Sequence, residues 1–276
     1  MLKSSTRFLL LCLVTVTFGC GNSSPPTASA SDNILSGNWE ITLQRHAHAE
    51  PLLFSGFMLQ SGSAVTGSLI LGAGCDGVGS IGGTVTGQKL SLTIDEFGQE
   101  ISLTGTLPAG GASGSTFISG PFSALAGGCA TYASTGTWSA TQVARVSGAF
   151  HGTLVSTAAS GNASDTFNVT GSLTQGPNTG SSNATLTGTI KATGTSHFCP
   201  YLTSGTINGL ISGTSVSLSL FDSTGSQIAQ VAPATITTNA SSLTCSAGAS
   251  GNVCYSFPPI SNSCPGEQGS IQLTFP

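Results

Sequence analysis

Residues Leu90, Ser91, Leu92, Thr93 and Ile94 alternate apolar and small hydroxyl side chains, and the alternation recurs over 216–220 and 271–275. Period two sends successive side chains to opposite faces, so these runs are strands with one buried face. Gly, Asn, Asp and Ser interrupt them every 8–12 residues or so, the spacing of a sandwich or barrel. Strong helix formers are scarce beside Ser, Thr, Gly and β-branched residues. An all-β, antiparallel fold follows.

The chain also repeats itself. Ser36-Gly37-Asn38-Trp39 answers to Ser147-Gly148-Ala149-Phe150, and Val65-Thr66-Gly67-Ser68-Leu69 to Leu186-Thr187-Gly188-Thr189-Ile190. Gly83-Thr84-Val85-Thr86-Gly87 precedes one alternating strand as Gly209-Leu210-Ile211-Ser212-Gly213 precedes another. The turn Asp95-Glu96-Phe97-Gly98 corresponds to Asp222-Ser223-Thr224-Gly225. Order is kept while loop lengths drift, which predicts two homologous domains, 34–144 and 145–276.

The first half holds eight candidate strands, near 37–44, 52–60, 64–71, 79–86, 89–95, 100–107, 115–123 and 135–143. Eight strands with short turns suffice to close an up-and-down barrel, and a two-sheet sandwich is the alternative. Gly37-Asn38-Trp39 on the first strand, with the strand count, resembles the lipocalin and avidin group of small barrels. Gly136-Thr137-Trp138 repeats the triplet on the last strand. Closure would pair these strands and bring Trp39 and Trp138 close, each as a core plug. No ligand-binding residue of that group is recognisable, so the ligand site stays unassigned.

The N-terminus carries an address. Lys3 and Arg7 precede an apolar run over 8–18, which fits a signal peptide and is too short to span a bilayer. Thr17-Phe18-Gly19-Cys20 resembles the lipobox of bacterial lipoproteins. That resemblance implies a signal peptide over 1–19, acylation of Cys20, a flexible lipidated tether over 20–33 and, with Gly21 after the cysteine, the bacterial outer membrane. Cleavage after Ala28-Ser29-Ala30 is the alternative, leaving a secreted or periplasmic protein.

Only 6% of the residues are charged, and ten are acidic. Lys3 and Arg7 leave with the leader, so the mature chain is acidic. A nucleic-acid partner is excluded for want of a basic footprint, and so is a polybasic lipid patch. Beyond Cys12 and Cys20 six cysteines remain. In an oxidising compartment an even number predicts disulfides. The repeat pairs Cys75–Cys129 and Cys199–Cys264, leaving Cys245–Cys254. Tight zinc-type spacings are absent.

Candidate chemistry is sparse. His46, His48 and Glu50 would share a strand face and could hold a metal, but the segment reads first as a solvated hairpin between the first two strands, and no metal or cofactor is expected. Asp95 and Glu96 are neighbours that point to opposite faces, in a segment read as a turn. His151 and His197 lack an evident acidic partner. The sequence therefore predicts no catalytic residues and no enzyme. The expected function is an exported, membrane-anchored binding or surface-interaction module with a small apolar or glycan ligand. A structural envelope protein is the alternative, and a cell-surface enzyme is the weaker third reading.

Overall fold

The computed structural model describes residues 33–46, 50–72, 77–108, 117–126, 134–158, 164–193, 204–245, 254–257 and 267–276. Eight antiparallel strands form the first barrel: β1 (Gly37–Arg45), β2 (Leu52–Ser61), β3 (Ala64–Leu71), β4 (Gly77–Thr86), β5 (Lys89–Glu96), β6 (Gln99–Thr106), β7 (Phe117–Ala124) and β8 (Ser134–Val143). Each pairs with the next, and β8 returns to β1, so no edge is exposed. The expected boundaries hold to within two residues.

The register fixes the barrel's shape. From Gly37 the ladder passes through Met58, Gly67, Ile81, Ile94, Ile101 and Ala124 to Ser134. Gly136, two residues on from Ser134, faces Arg45, eight residues beyond Gly37, so the ladder closes with a stagger of ten residues. A stagger of this size on eight strands tilts them by about 40° and leaves room only for side chains or one small ligand.

The second barrel comprises β9 (Ser147–Ala158), β10 (Ser164–Gln175), β11 (Ala184–Thr193), β12 (Gly205–Ser212), β13 (Ser215–Asp222), β14 (Gln227–Ile236), β15 (Ser242–Cys245), β16 (Tyr255–Phe257) and β17 (Glu267–Thr274). Pairing of β13 with β14 closes it. From Ser147 the ladder runs through Thr174, Thr187, Asn208, Ser219, Gln230, Ser256 and Gln268 to Thr157, again ten residues on. Equal strand positions and equal stagger give the sequence repeat a geometric counterpart.

One difference separates the halves. The seventh position of the second barrel is split: β15 and β16 run in line, both between β14 and β17. Cys245 ends one piece and Cys254 precedes the other, and they form a disulfide with Cα atoms 5.5 Å apart. Opposite the split, β14 bulges at Ala232-Pro233, whose peptide bond is cis, and the Ala232 amide donates to the Cys254 carbonyl. The expected Cys245–Cys254 pair is thus present. Cys75, Cys129, Cys199 and Cys264 lie outside the described residues, as do residues 1–32 with the expected signal peptide and Cys20.

A capping device occurs twice. Before β1, Leu35 is fully buried and its amide donates to Gln60 Oε1 at the end of β2. Before β9, Val146 is buried and its amide donates to Gln175 Oε1 at the end of β10. Each glutamine is itself buried, so the apolar plug can enter the core without stranding its backbone N–H. Trp39 Nε1 completes the first cap by donating to the Leu35 carbonyl.

The barrels are clasped. Phe57 points outward from β2, is 1% exposed, and packs with Val143 and Val146 into the second barrel's core cluster. Beside it, buried Asn38 grips the tip of the β12–β13 hairpin: Nδ2 donates to the Gly213 carbonyl at 2.8 Å and Oδ1 accepts from the Gly213 amide at 2.7 Å. Gly213 has φ 56° and a Cβ there would lie 2.7 Å from Ser55 Cβ, so both backbone hand and space require glycine. Ser55 bonds Ser212, and Asn178 donates to the Met58 carbonyl. Asn38→Leu leaves two buried backbone groups unpaired and is expected to cost about 2–3 kcal/mol. Urea unfolding should then resolve into two transitions, and an unchanged single midpoint would contradict the clasp.

Candidate functional site

Successive connections of an up-and-down barrel alternate between two ends. In the first barrel the near rim carries the start of β1, the cap and the end of β8. The far rim carries the ends of β1, β3, β5 and β7 and the starts of β2, β4, β6 and β8. The described segments flanking Cys75 and Cys129 therefore meet the same far rim.

Inside the wall, the space is filled by Trp39, Ile41, Met58, Leu92, Ile94, Trp138 and their neighbours, all in one buried cluster. Large side chains sit against inward glycines: a Cβ at Gly105 would lie 3.1 Å from Trp138 Cζ2, and one at Gly83 3.0 Å from Leu92 Cδ2. β1 and β8 pair as expected, but the two tryptophans are not partners in the ladder. Trp39 faces Gln142 and Trp138 faces Leu43. The stagger of the closed sheet separates them.

Polar groups enter the far rim. Arg45 continues the inward series Ile41 and Leu43, and its Nε is buried with no hydrogen-bond partner among the described residues. Glu96 and Gln99 also turn inward and are almost fully buried, and Gln99 donates to the Leu125 carbonyl. Burial raises the Glu96 carboxyl above its ordinary value, because the ion loses water there. A raised folded-state value means that the folded protein holds the proton more tightly than the unfolded chain. Stability from this group is present at low pH and falls as pH rises through the folded-state value. Glu96→Gln should therefore raise the melting temperature at about pH 7 and leave it nearly unchanged at about pH 4. Equal shifts at both pH values would rule out this origin.

The neighbouring carboxylate does different work. Asp95 points outward and accepts from the Gly98 amide within the β5–β6 turn. Asp222, its counterpart, accepts from the Thr224 hydroxyl and from the Thr224 and Ser226 amides, which hold its carboxyl below the usual range. Both acids are turn formers, as the repeat suggested. His46 and Glu50 are exposed at the far rim, the His46 amide bonding the Thr135 carbonyl, while His48 lies outside the described residues. Among the described residues no three His, Cys, Asp or Glu side chains are placed to hold a metal ion.

Clefts among the described residues lie outside the barrels. One of them, about 550 Å³, crosses the outer face of β4 to β7 and is lined by Thr84, Ser91, Thr104, Ser119, Lys89 and Pro121. A second, about 390 Å³, sits where the barrels meet, between Phe57, Gln142 and Arg145, whose guanidinium donates to the Gln175 carbonyl. Sequence reasoning missed Gln60 and Gln175, because a lone glutamine at a strand end carries no pattern until both caps are superposed. No protein-family description matches this chain, and no curated protein or solved structure is similar to it.

Proposed function

We propose that the protein is an exported lipoprotein, acylated on Cys20, that works as a non-catalytic surface-interaction module at the bacterial outer membrane. The observation that carries this reading is the pair of barrels with side-chain-filled walls, capped at the near rim and clasped through Asn38 and Phe57. Such a body offers its partners rims and outer faces on a rigid frame. A glycan would suit the hydroxyl-lined groove across β4 to β7, whereas a small apolar ligand would have to displace core side chains.

Two measurements test the reading. Mass spectrometry of the mature protein should find an acylated Cys20 at the N-terminus, and an unmodified chain beginning at Ser31 would replace the anchor by secretion. A thermal-shift panel of oligosaccharides and of acidic, neutral and basic peptides should raise the melting temperature with at least one class. Silence across the panel would favour a structural envelope protein instead.

A further inference from the structure

We propose that the far rim of the first barrel is the docking surface for a cationic polypeptide segment that presents apolar side chains to it. The proposal rests on the surface-interaction reading and supplies the partner class.

Two independent features meet on this rim. Six large apolar side chains are strongly exposed among the described residues, and four of them, Leu53, Val78, Phe97 and Leu125, lie here. The other two, Phe117 at the opposite rim and Leu210 on the second barrel, stand apart from each other, so only this rim gathers such side chains. Phe97 is the centre. It occupies the left-handed region with φ 50°, where glycine or asparagine is usual, so the turn holds a costly backbone to display a ring. The tip of that ring rests on Gly77, where any Cβ would overlap Cζ, so the ring lies across the rim with 62% of the residue exposed.

Charge supplies the second feature. Among the described residues the acids of this rim are Glu50, Asp95, Glu96 and Glu100, and its basic groups are Arg45 and His46. Glu50, Asp95 and Glu100 are exposed beside the apolar residues. Acidic groups ringing exposed apolar anchors complement a basic, apolar surface. They disfavour the other occupants. A second copy would set carboxylates against carboxylates in a two-fold contact. Anionic lipid repels them. Residues 33–36 also enter at the opposite rim, so an anchor on Cys20 would turn the far rim away from its own bilayer.

The test uses the mature chain carrying Cys20→Ser, so that no lipid competes for the probe. A fluorescent amphipathic Leu/Lys peptide of about 18 residues is titrated by anisotropy, with a Leu/Glu peptide of the same pattern. The Leu/Lys peptide should bind, and more weakly as salt is raised, while the Leu/Glu peptide should not. Phe97→Ser with Leu125→Ser should weaken binding by about tenfold or more. Glu50→Gln with Glu100→Gln should weaken it less and flatten its salt dependence. Leu210→Ser, on the second barrel, should leave it unchanged. All these side chains are exposed, and unchanged tryptophan emission together with unchanged β-sheet dichroism will verify folding of both barrels. The proposal is overturned if the Leu/Glu peptide binds equally, or if Leu210→Ser has the effect of the rim variants. It also fails if the rim variants abolish dimerisation in sedimentation or binding to phosphatidylglycerol vesicles instead. Ligand binding elsewhere in the thermal-shift panel would then leave the interaction-module reading standing without this rim.

Discussion

Gly188→Ala is expected to unfold the second barrel, with a loss of at least about 3 kcal/mol. Gly188 lies on the inward side of β11 between Leu186 and Ile190, opposite Leu173 of β10. A Cβ there would overlap the Ser172 carbonyl oxygen, and the next nearest atoms are backbone too, so no side chain can turn aside. The strands approach this closely because a strongly staggered small barrel must coil sharply, and glycine lets a neighbouring carbonyl pass. Gly67 holds the same place in the first barrel, against the Phe57 carbonyl. Gly82→Ala is the control: its nearest neighbour is the Val65 carbonyl at 3.7 Å, and its cost should stay under about 1 kcal/mol. Both tryptophans lie in the first barrel, so their emission reports that barrel alone. Gly188→Ala should lose β-sheet dichroism while keeping buried tryptophan emission. Equal urea midpoints for the glycine variants would show that the backbone does give way.

The fold was legible because the determinants of a barrel are local and periodic. Alternation set which side chains face inward, glycine and aspartate set the turns, and repetition of Thr66-Gly67 as Thr187-Gly188 marked equivalent strands. Closure itself is not legible against a sandwich, since hydrogen bonding between first and last strands is not a local property. The split seventh strand was illegible for the same reason: β15 is four residues and β16 three, each too short to show a period. Their cysteines still revealed the contact. The clasp was hidden more deeply. Asn38 stands in a Gly-Asn-Trp triplet and reads as an outward strand residue, which it is, and only the partner barrel buries it. The far rim was half seen. Glu50, Asp95 and Glu96 stand out in the sequence as candidate metal or catalytic groups, but their gathering at one end depends on which strand ends share a rim.

The other large effect is expected at Trp138. Trp138→Ala should cost about 3–5 kcal/mol and unfold the first barrel before the second. The ladder between β6 and β7 spans only Ile101 to Leu103 against Phe122 to Ala124. Just past its end, the Trp138 indole donates to the Thr104 carbonyl at 2.8 Å, supplying a bond where the sheet lapses. Its ring fills the room left by inward Gly105. The indole therefore acts both as core and as a bridge across the weakest seam in the wall. Trp138→Phe separates these roles, since it keeps most of the volume and drops the donor. It should cost about 1–2 kcal/mol, for a partly buried carbonyl left unpaired and a small void. The equivalent position in the second barrel is Ile271, which has no donor to lose. A truncation at Ile271 should therefore show the cavity cost alone. If Trp138→Phe were as damaging as Trp138→Ala, the seam bond would outweigh the packing. If it were neutral, Thr104 would have found another donor, and the seam would be held by Gly120 and its neighbours instead.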